Sequence, residues 1–228
     1  NTRRWVVSDS VRGKGGAGAY WRYWIGHKDV QVNDGYDITD ISDTGFTVNK
    51  DGNNANATST EYGSFSWRAG GGSGNQSEHW RDGQKFASAA AAGMDAGSIT
   101  PIASSVGTKQ GFSIINYAGN STNNATISHG LNKPPDFYIC KVVDDGGTNA
   151  NWRVGHKFCA TDGNGLAFDN SNGLYLNLDN AATSNGHGHL YAGQPAAPND
   201  KVFIHRSGST DHLQTCQSGK NYMVYSWH

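Results

Sequence analysis

Tyr222-Met223-Val224-Tyr225-Ser226-Trp227 closes the chain, and Tyr62-Gly63-Ser64-Phe65-Ser66-Trp67 is a diverged copy of it. The landmarks around each copy follow the same order. Trp5 and Val7 open one segment as Trp152 and Val154 open the other, and Phe46 and Phe203 mark a late strand in each. Residues 5–67 therefore read as a counterpart of residues 152–227, and internal similarity of this kind points to repeated structural units. Residues 111–151 lead into the second copy and have no counterpart ahead of the first. The chain reads as one and a half repeats: the C-terminal half of a first unit in 1–68, a connector in 69–110, and a complete unit in 111–228.

Working outward, the strand signals are short and regular. Asp136-Phe137-Tyr138-Ile139-Cys140-Lys141-Val142-Val143 is almost continuously apolar or β-branched. It lies between Pro134-Pro135 and Asp144-Asp145-Gly146-Gly147, as a central strand bounded by turns should. Further strands are expected at 111–117, 152–157, 174–178, 202–205 and 222–227. Gly, Ser, Thr and Asn are abundant and Glu is scarce, a mixture that suits turns and short strands and suits long helices badly. The expected fold class is all-β: tandem β-sandwich (jelly-roll-like) repeats, the first repeat incomplete within the chain. In the connector, Ala69-Gly70-Gly71-Gly72-Ser73-Gly74 reads as flexible. Residues 86–92 read as one or two helical turns stopped by Gly93, and Ser98-Ile99-Thr100 as an added strand.

Several motifs stand in a characteristic order: Gly97-Ser98-Ile99-Thr100, Gly111-Phe112-Ser113-Ile114, His129-Gly130-Leu131, Pro135-Asp136-Phe137, Asn151-Trp152-Arg153-Val154-Gly155-His156-Lys157, Leu174-Tyr175-Leu176-Asn177 and the closing aromatic cluster. Together they resemble a repeated domain of unknown function found in virion structural and tail-fibre-like proteins of marine phages. The resemblance covers residues 97–228 well and residues 5–67 more loosely. It implies extracellular structure and adhesion, with no catalytic residue to carry over. In such a fold Trp5, Phe46, Trp67, Trp152, Phe203 and Trp227 form the structural core, each Trp contributing roughly 2–3 kcal/mol when enclosed.

The formal net charge is −1, which leaves no basic field for nucleic acid or an anionic membrane surface. No apolar run approaches the roughly 18 residues of a membrane span, so membrane insertion is not expected. Cys140, Cys159 and Cys216 are too few for a disulfide framework and fit either one bridge plus a thiol or three buried thiols. The chain has no Gly-x-Ser-x-Gly, no phosphate-binding loop, and only two glutamates, Glu61 and Glu78, so an enzyme is not expected. His187-Gly188-His189, with His205 or His212, brings imidazoles together, but Gly-flanked histidines without a Cys or carboxylate at ligand spacing read as turn residues. Asp162-Gly163-Asn164-Gly165, Asp169-Asn170-Ser171-Asn172 and the group Asp34, Asp37 and Asp40 leave calcium as the one cation to consider. The third acidic ligand and the closing Glu of a calcium loop are missing, and no cofactor is expected.

Asn56, Asn75, Asn120 and Asn124 head glycan-acceptor sequons. Tyr20, Trp21, Tyr23 and Trp24, with Trp80 and Tyr191, are candidates for stacking on sugar or for a subunit contact. A half-repeat exposes strand edges and an apolar face that something must cover. The sequence thus points to a non-enzymatic structural subunit of an extracellular fibre or filament. Such a subunit assembles head to tail into a homopolymer, a neighbouring subunit completing the first repeat. The alternative is a carbohydrate-binding adhesin module.

Overall fold

A computed structural model describes residues 5–16, 20–24, 31, 38–49, 56–144, 151–156, 174–178, 189–192, 202–206 and 215–228. The described residues form strands and no helix. In chain order these are β1 (Val6–Ser8), β2 (Arg22–Trp24), β3 (Ile38–Ile41), β4 (Phe46–Val48) and β5 (His79–Arg81). Then follow β6 (Gln84–Phe86), β7 (Ala103–Gly107), β8 (Phe112–Ala118), β9 (Thr126–Ser128) and β10 (Phe137–Val142). The remainder are β11 (Arg153–His156), β12 (Leu174–Tyr175), β13 (His189–Ala192), β14 (Val202–Arg206) and β15 (Asn221–Trp227).

One large mixed sheet runs β12-β11-β10-β15-β8-β7-β5-β6, antiparallel throughout except between β5 and β7. Its centre is β15, paired with β8 from Asn221↔Ala118 to Trp227↔Phe112 and with β10 from Phe137↔Trp227 to Val142↔Tyr222. Successive side chains of a strand point to opposite faces. Tyr222 and Val224 thus share a face with Tyr117, Ile115, Cys140 and Tyr138, all in one buried cluster. On that face Tyr222 stacks on Tyr117 (5.4 Å between ring centroids) and Ser226 Oγ lies 2.6 Å from Ser113 Oγ. The sheet β13-β14-β9 supplies Phe203 and Ile127 to the same cluster, so the arrangement is sandwich-like. Met223 and Tyr225 face the other way, with Ile114, Phe112 and Trp152.

That second face is covered by the start of the chain. Val11, just after β1, and Tyr23, in β2, are buried in its cluster, and Tyr23 meets Trp152 edge to face at 5.3 Å. Asp9 anchors the cover. Its Oδ1 accepts the backbone N–H groups of Val11 and Arg12 (3.0 and 2.8 Å), and its Oδ2 accepts Arg12 Nε and the Tyr225 hydroxyl, both at 2.6 Å. Arg12 lies flat over the Tyr23 ring, 3.8 Å from its centroid. Burial opposes the Arg12 charge, but Asp9 beside it outweighs that cost and raises its pKa above the ordinary value.

The expected connector is part of the sheet. Residues 69–110 supply β5, β6 and β7, and bury Met94 completely. The glycine stretch packs tightly. A Cβ on Gly70 would fall 2.3 Å from the Val106 carbonyl oxygen and 2.8 Å from that of Trp80, while Gly74 O accepts Lys14 N at 2.9 Å. Glycine here serves close backbone approach. The expected helical turn is reduced to turns with Ala92 N bonded to Ser88 O, ended by Gly93 at φ +68°. Ile99 makes only an isolated bridge to Ile127.

The described residues within 1–68 form no separate core cluster: β1–β2 and β3–β4 are two-stranded ribbons, and the former packs on the core of the large sheet. Trp5, Phe46 and Trp67 correct the expectation of six core aromatics, being 57%, 44% and 59% exposed. Trp152 and Phe203 are buried, and Trp227 is half-buried against the second-face cluster. Phe46 stands on the β3–β4 ribbon, which has no described second layer for it to turn into, and Trp5 and Trp67 lie outside any strand.

Three substitutions test this packing. Gly70→Ala should destabilise by about 2 kcal/mol or more, because only backbone atoms stand where the methyl would go, whereas Gly63→Ala, in open space, should stay within about 0.5 kcal/mol. Tyr225→Phe, which deprives the buried Asp9 carboxylate of a donor, should cost about 1–3 kcal/mol. Urea denaturation at neutral pH measures all three.

Candidate functional site

Exposed aromatic rings gather where the two closing motifs meet. Phe65 is 72% exposed, and its ring stacks on Trp67 at 6.4 Å and lies 5.9 Å from Trp5. Trp67 meets Trp227 edge to face at 5.7 Å. Trp227 in turn touches Phe112 (4.8 Å) and Phe137 (5.1 Å), at the end of the large sheet. The result is an aromatic ridge, anchored in the second-face core at Phe112 and Trp227 and open to solvent at Trp67, Phe65 and Trp5. Contiguous exposed apolar surface of this kind marks places where something binds. Flat rings can stack on a sugar face or on side chains of another polypeptide.

The local structure explains the exposure. Residues 62–68 carry no regular secondary structure and all seven are exposed. Phe65 and Trp67, two positions apart with near-parallel rings, share one side of an extended segment. Among the described residues, residues 63–68 make no backbone hydrogen bond.

A polar cluster marks the far edge of the sheet, at β5 and β6. Glu78 Oε2 accepts Ser73 Oγ (2.6 Å) and the Trp80 indole N–H (2.8 Å), and Oε1 accepts Lys85 Nζ (2.5 Å). Burial alone would raise the Glu78 pKa, but the hydrogen bonds from Lys85, Ser73 and Trp80 outweigh it and hold the carboxyl at about 2, below its ordinary 4.5. On the first face, burial pushes the Cys140 thiol up to about 12, and Tyr117 donates its hydroxyl to the Thr215 carbonyl at 2.5 Å. Cys140 and Cys216 are free, buried thiols, and Cys159 lies outside the described residues. These groups hold the structure together and leave no open nucleophile at either place.

The aromatics singled out from sequence take different places. Tyr20 and Tyr23 are buried, which removes them as a sugar platform; Trp21 is half-buried. Trp80 is half-buried with its N–H committed to Glu78. Trp24 and Tyr191 stand on β2 and β13, and their side chains lie outside the described part. Asn56, Asn75, Asn120 and Asn124 are all exposed. Asn120 Oδ1 accepts from Thr122 N (3.0 Å) and Cys216 Sγ (3.3 Å), and Asn124 has φ +61°. Among the described residues no group of three His, Cys, Asp or Glu side chains could hold a metal. Asp40 instead pairs with Lys14 at 3.0 Å. His187, His212, Asp34, Asp37 and both Asp-Asn turns lie outside the described residues. Sequence reasoning missed Phe65 as a ridge residue, although it stands in the quoted closing motif, and missed the Asp9–Arg12 pair, whose only signal is a turn-forming Asp three residues before an Arg.

The pattern of a family described as Domain of unknown function (DUF7483) matches residues 1–228. No curated protein and no solved structure matches the chain.

The Glu78 cluster gives a pH prediction. A carboxyl held below its unfolded pKa contributes stability that is complete above that value and is lost as pH falls through the folded one. The stability difference between the protein and Glu78→Gln should therefore be largest above pH 4.5 and vanish toward pH 2. Chemical denaturation of both proteins across that range measures it.

Proposed function

The chain belongs to the DUF7483 family, whose function is unknown, and from that premise we propose that it is a non-enzymatic structural subunit of an extracellular fibre or filament. In this reading residues 111–228 form a β-sandwich repeat, residues 5–67 a diverged half-repeat folded against it, and copies assemble head to tail. The observation that carries the reading is the ridge of Trp5, Phe65 and Trp67, three large rings left in solvent by a chain that buries Trp152, Tyr23 and Tyr225 efficiently. Burying such rings between copies is worth on the order of 2 kcal/mol each. A net charge of −1 puts little long-range repulsion in the way.

In this reading the groups with perturbed pKa values serve the fold. Cys140 is held protonated, and Glu78 and Tyr117 are tied into structural hydrogen bonds. Four exposed sequon asparagines fit an extracellular surface. The alternative, a carbohydrate-binding adhesin, rests on the same rings: with Tyr20 and Tyr23 buried, the ridge is the surface on which a sugar would stack.

Light scattering across a concentration series should show the protein growing from monomer into larger species, with filaments in electron micrographs. Trp67→Ala should shift that growth to at least about tenfold higher concentration, the loss of about 1.4 kcal/mol of contact. A protein that stays monomeric at millimolar concentration, yet binds specific glycans on an array, is an adhesin and not a fibre subunit.

A further inference from the structure

We propose that residues 63–67 are a donor strand that pairs with the open edge of the large sheet in a second copy of this chain. This rests on the self-assembly reading above and names the contact. In sequence the segment is the twin of β15, which is hydrogen-bonded on both sides, to β8 and to β10. The twin has neither neighbour: residues 63–68 are exposed and form no backbone hydrogen bond with any described residue. Residues 63–68, with aromatics on one side and backbone N–H and C=O groups that pair with no described residue, match one kind of occupant completely, another strand. A sugar would use the rings and leave the backbone to water.

The same molecule carries the complementary feature. The large sheet ends at β6, and Gln84, Lys85 and Phe86 pair with β5 on one side and with no described strand on the other. Lysine on an open edge ordinarily discourages pairing. Here Lys85 is engaged by Glu78, which neutralises it and draws it toward its own sheet. One copy therefore holds a strand without an edge and an edge without a strand. Joining the two is heterologous, and its repetition gives a filament rather than a closed pair.

A backbone substitution separates strand pairing from adhesion through the rings. Ser66→Pro removes an N–H donor at an exposed position while keeping Phe65 and Trp67, and Ser66→Ala removes only the hydroxyl. Because the N–H groups of successive residues point to opposite edges of a strand, Gly63→Pro, in open space, is the second backbone variant. Light scattering should show Ser66→Ala assembling like the parent and one of the two proline variants needing at least tenfold higher concentration, all with the parent's urea midpoint. Hydrogen exchange of the unmodified protein at low and high concentration should show slowing in residues 63–68 and in Gln84–Phe86 together. If the protein assembles while either segment exchanges as in the monomer, or while both proline variants assemble like the parent, the proposal is wrong and the fibre reading survives. If the unmodified protein does not assemble, both fall.

Discussion

Because a strand presents alternate side chains to opposite faces, a strand paired on both edges commits its residues to two cores at once. β15 is in that position. Tyr222 and Val224 enter the cluster closed by Phe203 and Ile127, while Met223 and Tyr225 enter the one closed by Tyr23 and Val11. Its register with β8 and β10 sets both layers, since a slip of one residue would move every one of these side chains to the wrong face. The placement of the ridge follows from it too: Trp227, the last residue of the strand, carries the aromatic contacts from Phe112 and Phe137 out to Trp67.

The start of the chain carries a buried ion pair of its own, Asp9–Arg12, and joins this frame where Asp9 accepts the Tyr225 hydroxyl. Taking Asp9 and Arg12 out of water costs several kcal/mol before their attraction is counted. The site offsets much of that by satisfying Asp9 with four donors and laying Arg12 on the Tyr23 ring. Arg12 Nη1 and the Tyr23 hydroxyl nevertheless remain buried with no hydrogen-bond partner among the described residues. An apolar contact would hold the hairpin with less penalty, but it would tolerate sliding. The directional bonds around Asp9 admit one seating only.

The sequence disclosed what depends on a strand's own pattern and concealed what depends on its neighbours. The apolar run at 136–143 and the motif at 222–227 became β10 and β15, because alternation and bounding turns suffice to specify a strand. The likeness of residues 62–67 to β15 is legible in the sequence, yet no described strand pairs with residues 63–68, and nothing within Tyr62-Gly63-Ser64-Phe65-Ser66-Trp67 says so. Trp5 and Trp67 were read as core for the same reason: the type of residue is legible, but the presence of a second layer is not. The glycine stretch after Ala69 misled in the opposite direction. Flexibility and close approach call for the same residue, and only the backbone of Val106 and Trp80 at the missing Cβ of Gly70 distinguishes them.

The place of β15 in the sheet bears on how the chain reaches its native state. It follows in sequence every strand it unites, so the two halves of the sheet, β12-β11-β10 and β8-β7-β5-β6, stay unjoined during synthesis until it emerges. Its contact with Asp9 spans 216 positions, among the most non-local that a chain of 228 residues permits. Such closures make folding slow, because chain entropy must be spent before distant contacts form. In that interval β8 and β10 each expose a hydrophobic edge, and an arrested or truncated chain is accordingly the form most prone to aggregate.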